Sequence, residues 1–265
     1  MGILKQKRSP WEREYQEVWR REQWFLRRYA EKRESAIDRK VEELAPEKLM
    51  ETLHGAFEKA FALVFEKGTG VILKMGRQEK RQETYQAQTD AADIREDREN
   101  LKAFSRSANR TGLGNVAVSG AAGIGMGLFG VALPDIPFFT AMMLKSVYEL
   151  AESYGFPCDT PAEQMYVLRV IEAALSCGEE LWERNRTLDF YAQTGFWPEE
   201  REREQQIKAT SRQVSEAVLL GKALQNVPVA GAAGGVADAV HLSRIRKYAA
   251  IKYQKRFLIR RRVRE

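Results

Sequence analysis

Apolar side chains recur at intervals of three and four along most of this chain, the period of a helix with one buried face. After Pro46 the repeat runs through Leu49, Leu53, Phe57, Phe61 and Val64, and "KGTG" (Lys67 to Gly70) offers a glycine stop. It resumes at Pro137 through Phe139, Met143, Val147, Leu150 and Tyr154, and closes at Gly155. "CDTPAEQ" restarts the chain with Thr160 as cap and Pro161 in the first position. The next segment, about 162–184, carries only Glu163, Arg169 and Glu172 as charges before Gly178, which predicts a central buried helix. Ile207, Thr210, Val214, Val218 and Leu224 mark one more. Near the start, "SPWERE" combines Ser9 as N-cap, Pro10 in the first turn and Glu12 reaching back, a capping box. The helix it opens bears Trp11, Tyr15, Trp19 and Trp24 among mixed charges and reads as an exposed arm with an aromatic edge. Residues 76–100 hold few large apolar side chains and suit a solvated helix or a connector. No segment sustains a two-residue alternation. The prediction is an all-α protein, with a charged helical arm over residues 1–45 and a single multi-helix domain over residues 46–265.

Composition changes this picture at one place. Charged residues make up 30% of the 265-residue chain, yet Thr111 to Leu133 is 23 residues without a charge, and Gly112 to Gly130 holds seven glycines in nineteen positions. Each glycine in a helix costs about 1 kcal/mol relative to alanine, so close packing, an apolar medium or a bend has to compensate. "GAAG" occurs here at Gly120–Gly123 and again at Gly231–Gly234, within "VPVAGAAGGVADAV". Ser119, Gly123 and Gly127 fall four apart and form a smooth strip that lets two helix backbones approach closely.

Three chemistries fit such a stretch on paper. "GLGNVA" has the spacing of a dinucleotide loop, but a helical segment precedes it where a strand is required, and no G-K-[ST] follows to make a P-loop. A transmembrane span is long enough at 23 residues, yet it holds few leucines and ends abruptly at Pro134 and Asp135. The reading that uses the glycines best is a small-residue helix pair, 112–133 with 229–240, buried in the domain or dipping into the membrane interface. Ser119, Gly120, Gly123, Gly127, Gly231 and Gly234 would form its packing or ligand-contacting face. Asp135, in "LPDIP", is placed to cap the helix that Pro137 opens, and Asp238 closes the second small-residue run.

Charge is uneven. Residues 242–265 carry ten Lys or Arg against Glu265 alone, residues 1–45 carry twelve against nine acids, and the middle of the chain is net acidic. In the tail Ile245, Ala249, Tyr253 and Phe257 recur every four residues among basic ones. Such a helix either packs its stripe on its own domain or lies on an anionic membrane. On the second reading Lys252, Lys255, Arg256, Arg260, Arg261, Arg262 and Arg264 form a membrane-surface set. The acidic body and the lack of a nucleic-acid-binding motif argue against a specific nucleic-acid partner.

Catalytic chemistry is sparse. Cys158 and Cys177 stand alone and read as reduced thiols, and no G-x-S-x-G elbow occurs. His54 and His241 are the two histidines; Asp238 and His241 share a helical face but make two ligands at most, so no metal and no cofactor is expected. Glu179, Glu180 and Glu183 form a solvated face. With no apolar leader after Met1–Arg8, the expected location is the cytoplasm.

The glycine-rich run ending in "LPDIP", the helix to "YG" (Tyr154–Gly155), "AGAAGG" and the basic C-terminal helix together resemble the EcsC protein family over roughly residues 46–262. That family is named for the third gene of a bacterial ABC-transporter operon. One departure is Asp238, where an amide-type residue is expected. The resemblance implies an all-helical bacterial protein linked to membrane transport. The expected function is a non-enzymatic, cytoplasmic protein peripheral to the membrane. It would bind a membrane lipid, a lipid-like ligand or an ABC-transporter subunit. The competing expectation is a lipid-acting hydrolase or transferase using Asp135 or Asp238.

Overall fold

The computed structural model describes residues 8–30, 47–68, 102, 136–223 and 234–263. Among them are seven α-helices and no strand, so the fold is all-α. Helix α1 (Pro10–Arg28) starts as the capping box requires: Glu12 N–H donates to Ser9 Oγ at 3.1 Å and Ser9 N–H to Glu12 Oε2 at 2.9 Å. It is not an exposed arm. Val18, Phe25 and Leu26 are buried in the common core together with Glu14 and Glu22. The two buried glutamates disguise this face in the sequence as a solvated one.

Helix α2 (Glu47–Leu63) buries Leu53, Phe57 and Phe61, and closes in a π-helical turn over Val64–Gly68. Helix α3 (Ile136–Ser153) has Pro137 exposed in its first turn. It ends as predicted, at Gly155 with φ 71°: Phe156 N–H reaches Ala151 O and Gly155 N–H reaches Glu152 O, both at 2.9 Å, the paired bonds of a Schellman motif. Thr160 Oγ1 caps helix α4 (Pro161–Leu175) by accepting from Glu163 N–H at 3.2 Å, and every residue of α4 from Glu163 onward is buried.

The long helix predicted over 162–184 is two helices. After Leu175 the chain breaks at Ser176–Cys177, and helix α5 runs Gly178–Thr194. The backbone groups that continuation would have paired find partners elsewhere: Arg244 donates to Ser176 O at 2.6 Å, and Gly178 N–H to Tyr29 O at 3.0 Å. Gly178 turns the chain with φ 59°. Helix α6 (Arg203–Ala223) buries Ile207, Thr210, Val214 and Val218; Leu224 lies outside the described residues.

Helix α7 (Gly234–Val263) is the axis of the fold. At 30 residues it is about 45 Å long. It packs against α1, α3, α4, α5 and α6, while α2 closes over α3 and α6. Its four-residue stripe of Ile245, Ala249, Tyr253 and Phe257 is buried in the protein's own core. Helix α1 runs antiparallel along it. Trp11 Nε1–H donates to Leu258 O at 2.8 Å at one end, and Tyr29 meets Arg244 at the other.

Candidate functional site

The C-terminal helix was expected to offer its cations to a surface. Two of them lie inside instead. Lys252 has 1% of its side chain exposed and donates at 2.6 Å to both Glu22 Oε1 on α1 and Asp189 Oδ1 on α5. Lys255, one turn on, reaches the other oxygen of each, with Asp189 Oδ2 at 2.8 Å. Two cations and two carboxylates thus form a neutral square that ties three helices together. Tyr248 Oη donates to Asn185 Oδ1 at 2.9 Å beside it, and Lys252 also reaches Asn185 O at 3.3 Å. A lone buried charge would be costly, so the square holds only because each member has two ionic partners. Burial pushes the Asp189 carboxyl up, but Lys252 and Lys255 outweigh it and hold it below its ordinary value. Burial likewise pulls Lys255 down, and Glu22 and Asp189 outweigh that and raise it.

Arg256 is also turned inward. Its Nη1 donates to both carboxylate oxygens of Glu163, at 2.8 and 2.9 Å, and Tyr253 Oη donates to the same carboxylate at 2.7 Å. Its guanidinium lies 4.1 Å from the Phe156 ring centre and 4.3 Å from that of Tyr166. Tyr191 and Trp197 stack at 3.9 Å and extend this aromatic box. Burial raises the Tyr166 and Tyr253 phenols well above the usual tyrosine range, so both stay protonated. Arg260 donates to Tyr154 O at 2.9 Å and Gly155 O at 3.1 Å, where α3 presents its unpaired carbonyls.

The predicted membrane-surface set is therefore corrected. Lys252, Lys255 and Arg256 are structural cations of the core, because burial demanded partners and α1, α4 and α5 supply carboxylates. Arg260 closes α3. Arg261 is half-buried, and Arg262 is exposed with its guanidinium 4.5 Å from the Trp11 ring centre. Arg264 lies outside the described residues, as do Ser119, Gly120, Gly123, Gly127, Asp135 and Gly231. Gly234 and Asp238 belong to the first turns of α7, where the backbone alone is described.

A third polar cluster joins α4, α5 and α6. Glu172 accepts from Gln206 Nε2 at 2.6 Å and pairs with Arg184 at 3.2 Å. Nearby, burial first and Arg244 second lower the pKa of His241 to about 4. No group of three potential metal ligands occurs among the described residues. A shallow groove of about 290 Å³ between α2 and α6 is lined by Phe65, Ile207, Lys59, Lys208 and acidic neighbours.

The outer surface carries large apolar side chains that the buried stripes leave over. Trp19 and Trp24 on α1 are 48% and 57% exposed, and Phe196 after α5 is 74% exposed. On the same side of α1 as Trp24, Arg13, Arg20, Arg27 and Arg28 are all exposed. Sequence reading passed over this cationic face because it sought basic character in the tail; the seven-residue spacing of Arg13, Arg20 and Arg27 was the available signal. No helix among the described residues is long and apolar enough to cross a membrane.

No curated protein and no solved structure matches the chain. A family model does, across nearly all of the fold, and it includes α1, whose contacts with α7 make it part of the same body. Matching that model over residues 11–258, the chain belongs to the EcsC protein family.

Proposed function

We propose that this protein is a non-enzymatic accessory protein, cytoplasmic and peripheral to the membrane. It would bind a lipid-like or apolar ligand, or the membrane subunit of a transporter, through its small-residue segments. The observation that carries this reading is the 23-residue uncharged run from Thr111 to Leu133, with its seven glycines, in a chain that is 30% charged. The buried charges around α7 support it from another side. Glu22, Asp189, Lys252, Lys255, Glu163 and Arg256 hold one another in ion pairs that brace the helices, which gives these buried charges a structural role.

The direct test is to purify the protein from its native membrane fraction, extract it with organic solvent and identify bound lipid by mass spectrometry. Gly123→Leu and Gly127→Leu should reduce the recovered lipid, because a bulky side chain would block close approach to the strip. Protein that carries no lipid, co-purifies with no membrane protein and stays off vesicles would remove the reading. Turnover of a lipid substrate, abolished by Asp135→Asn, would replace it with the enzymatic one.

A further inference from the structure

We propose that the outward face of α1 is the surface by which this protein contacts an anionic lipid bilayer. The proposal deepens the membrane reading above and rests on it. The inward half of α1 is spoken for by Val18, Glu22, Phe25 and Leu26. At about 100° per residue, Arg13, Arg20, Arg27 and Arg28 all fall within about 60° of Trp24 on the opposite side. All five are exposed, Trp24 by 57%. From Arg13 to Arg28 the stripe runs about 22 Å along the helix. Of the four acids on α1, Glu14 and Glu22 are buried and Glu12 is engaged in the Ser9 cap, which leaves Glu17 as the acid within the stripe.

The face is rigidly held. Lys252 and Lys255 grip Glu22, Arg21 bonds to Gln254, and Trp11 bonds to Leu258 O, so α1 cannot roll its arginines inward. The composition of the stripe selects the partner. Guanidiniums attract phosphate of any source, but an indole more than half exposed among them gains most at a headgroup boundary, where its ring meets acyl chains and its N–H stays wet. The Arg28 guanidinium lies 5.1 Å from the Trp24 ring centre, a pairing that keeps cation and indole on one front. A nucleic-acid backbone would engage the same arginines and leave the indole in water.

The test uses the full chain, with vesicles of phosphatidylglycerol and phosphatidylcholine, vesicles of phosphatidylcholine alone, and a duplex oligonucleotide. Wild type should bind the anionic vesicles, weaken with added salt, and bind neutral vesicles poorly. Each arginine near an anionic surface contributes about fivefold in affinity, so Arg20→Gln/Arg27→Gln should weaken binding on the order of 20-fold. Trp24→Ala should weaken it further at every salt concentration, and unchanged thermal melting would show both variants folded. Arg13→Gln/Arg28→Gln provides a second pair should the first unfold. If wild type binds vesicles and both pairs bind equally well, this face is wrong while the membrane reading stands. Equal wild-type binding to neutral vesicles would also overturn the face alone. Failure to bind any vesicle overturns the face, and overturns the membrane reading as well when the protein also carries no lipid and co-purifies with no membrane protein; duplex binding without vesicle binding reassigns the stripe to nucleic acid.

Discussion

Lys252 Nζ lies 2.6 Å from Glu22 Oε1, joining residues 230 positions apart across the contact between the first and last helices. Both side chains are 1% exposed. Neither charge could stay where it is alone, so the pair makes the position of α1 conditional on that of α7. Glu22→Ala would leave Lys252 and Lys255 sharing Asp189. Loss of one partner from such a buried set costs about 3–5 kcal/mol. A urea denaturation series should show a loss of that size. A loss under about 1 kcal/mol would mean water reaches the square.

The same groups set a pH profile with two ends. Asp189 is held below its ordinary value, so its contribution is full above the unfolded-state pKa near 3.9 and fades as pH falls through the lower folded value. Lys255 is held above its ordinary value, so its contribution is full below the unfolded-state pKa and fades as pH rises through the higher folded value. His241 adds a shallower acid limb. With its pKa lowered to about 4 in the fold, the unfolded chain binds the extra proton between about pH 6.5 and 4, and stability declines across that window. His241→Asn should flatten melting temperature over pH 6.5 to 4 and leave the steeper fall below it. An unchanged slope there would locate the acid limb elsewhere.

Glycine-to-alanine changes should have opposite signs at two sites. Gly55 sits within α2 with nothing near where a Cβ would stand, so Gly55→Ala should stabilise by roughly 0.5–1 kcal/mol. Gly195 also has open space, but its φ of 77° is left-handed, so Gly195→Ala should destabilise by about 1 kcal/mol. Thermal melts of the two variants, run side by side, decide the matter. Shifts of the same sign would contradict the assigned backbone at one position.

Arg256→Lys keeps the charge and a single-nitrogen contact to Glu163 but loses the planar group that lies over Phe156 and Tyr166. Chemical denaturation should show a loss of about 1–2 kcal/mol. If lysine were tolerated without cost, the box would hold a point charge and the planar group would be incidental.

The local grammar of the fold was legible. Ser9 with Glu12, Thr160 with Pro161, and Gly155 after α3 are start and stop signals written within a few residues, and the structure uses each as predicted. The apolar stripes of α2, α3, α6 and α7 were legible for the same reason, since one helical face is a property of one segment. Sequence misjudged 162–184 because helical periodicity continues through it and carries no sign that Arg244 and Tyr29 will claim the backbone at Ser176 and Gly178. The candidate site divides in the same way. The stripe of four residues on α7 was visible, whereas the destination of its lysines was not. The small-residue strip and Asp135 lie outside the described residues.

By itself, then, the sequence determined an all-helical chain, the positions of its caps and the faces that seek a core, because propensity, capping and periodicity act between near neighbours. Only the tertiary structure decided which charges are interior. A lysine is read as exposed unless a counter-ion is known, and for Lys252 and Lys255 the counter-ions are Glu22 and Asp189, one from the opposite end of the chain and one from the far part of a separate, polar helix. That pairing takes Lys252 and Lys255 out of the positive face that periodicity alone drew on the last helix.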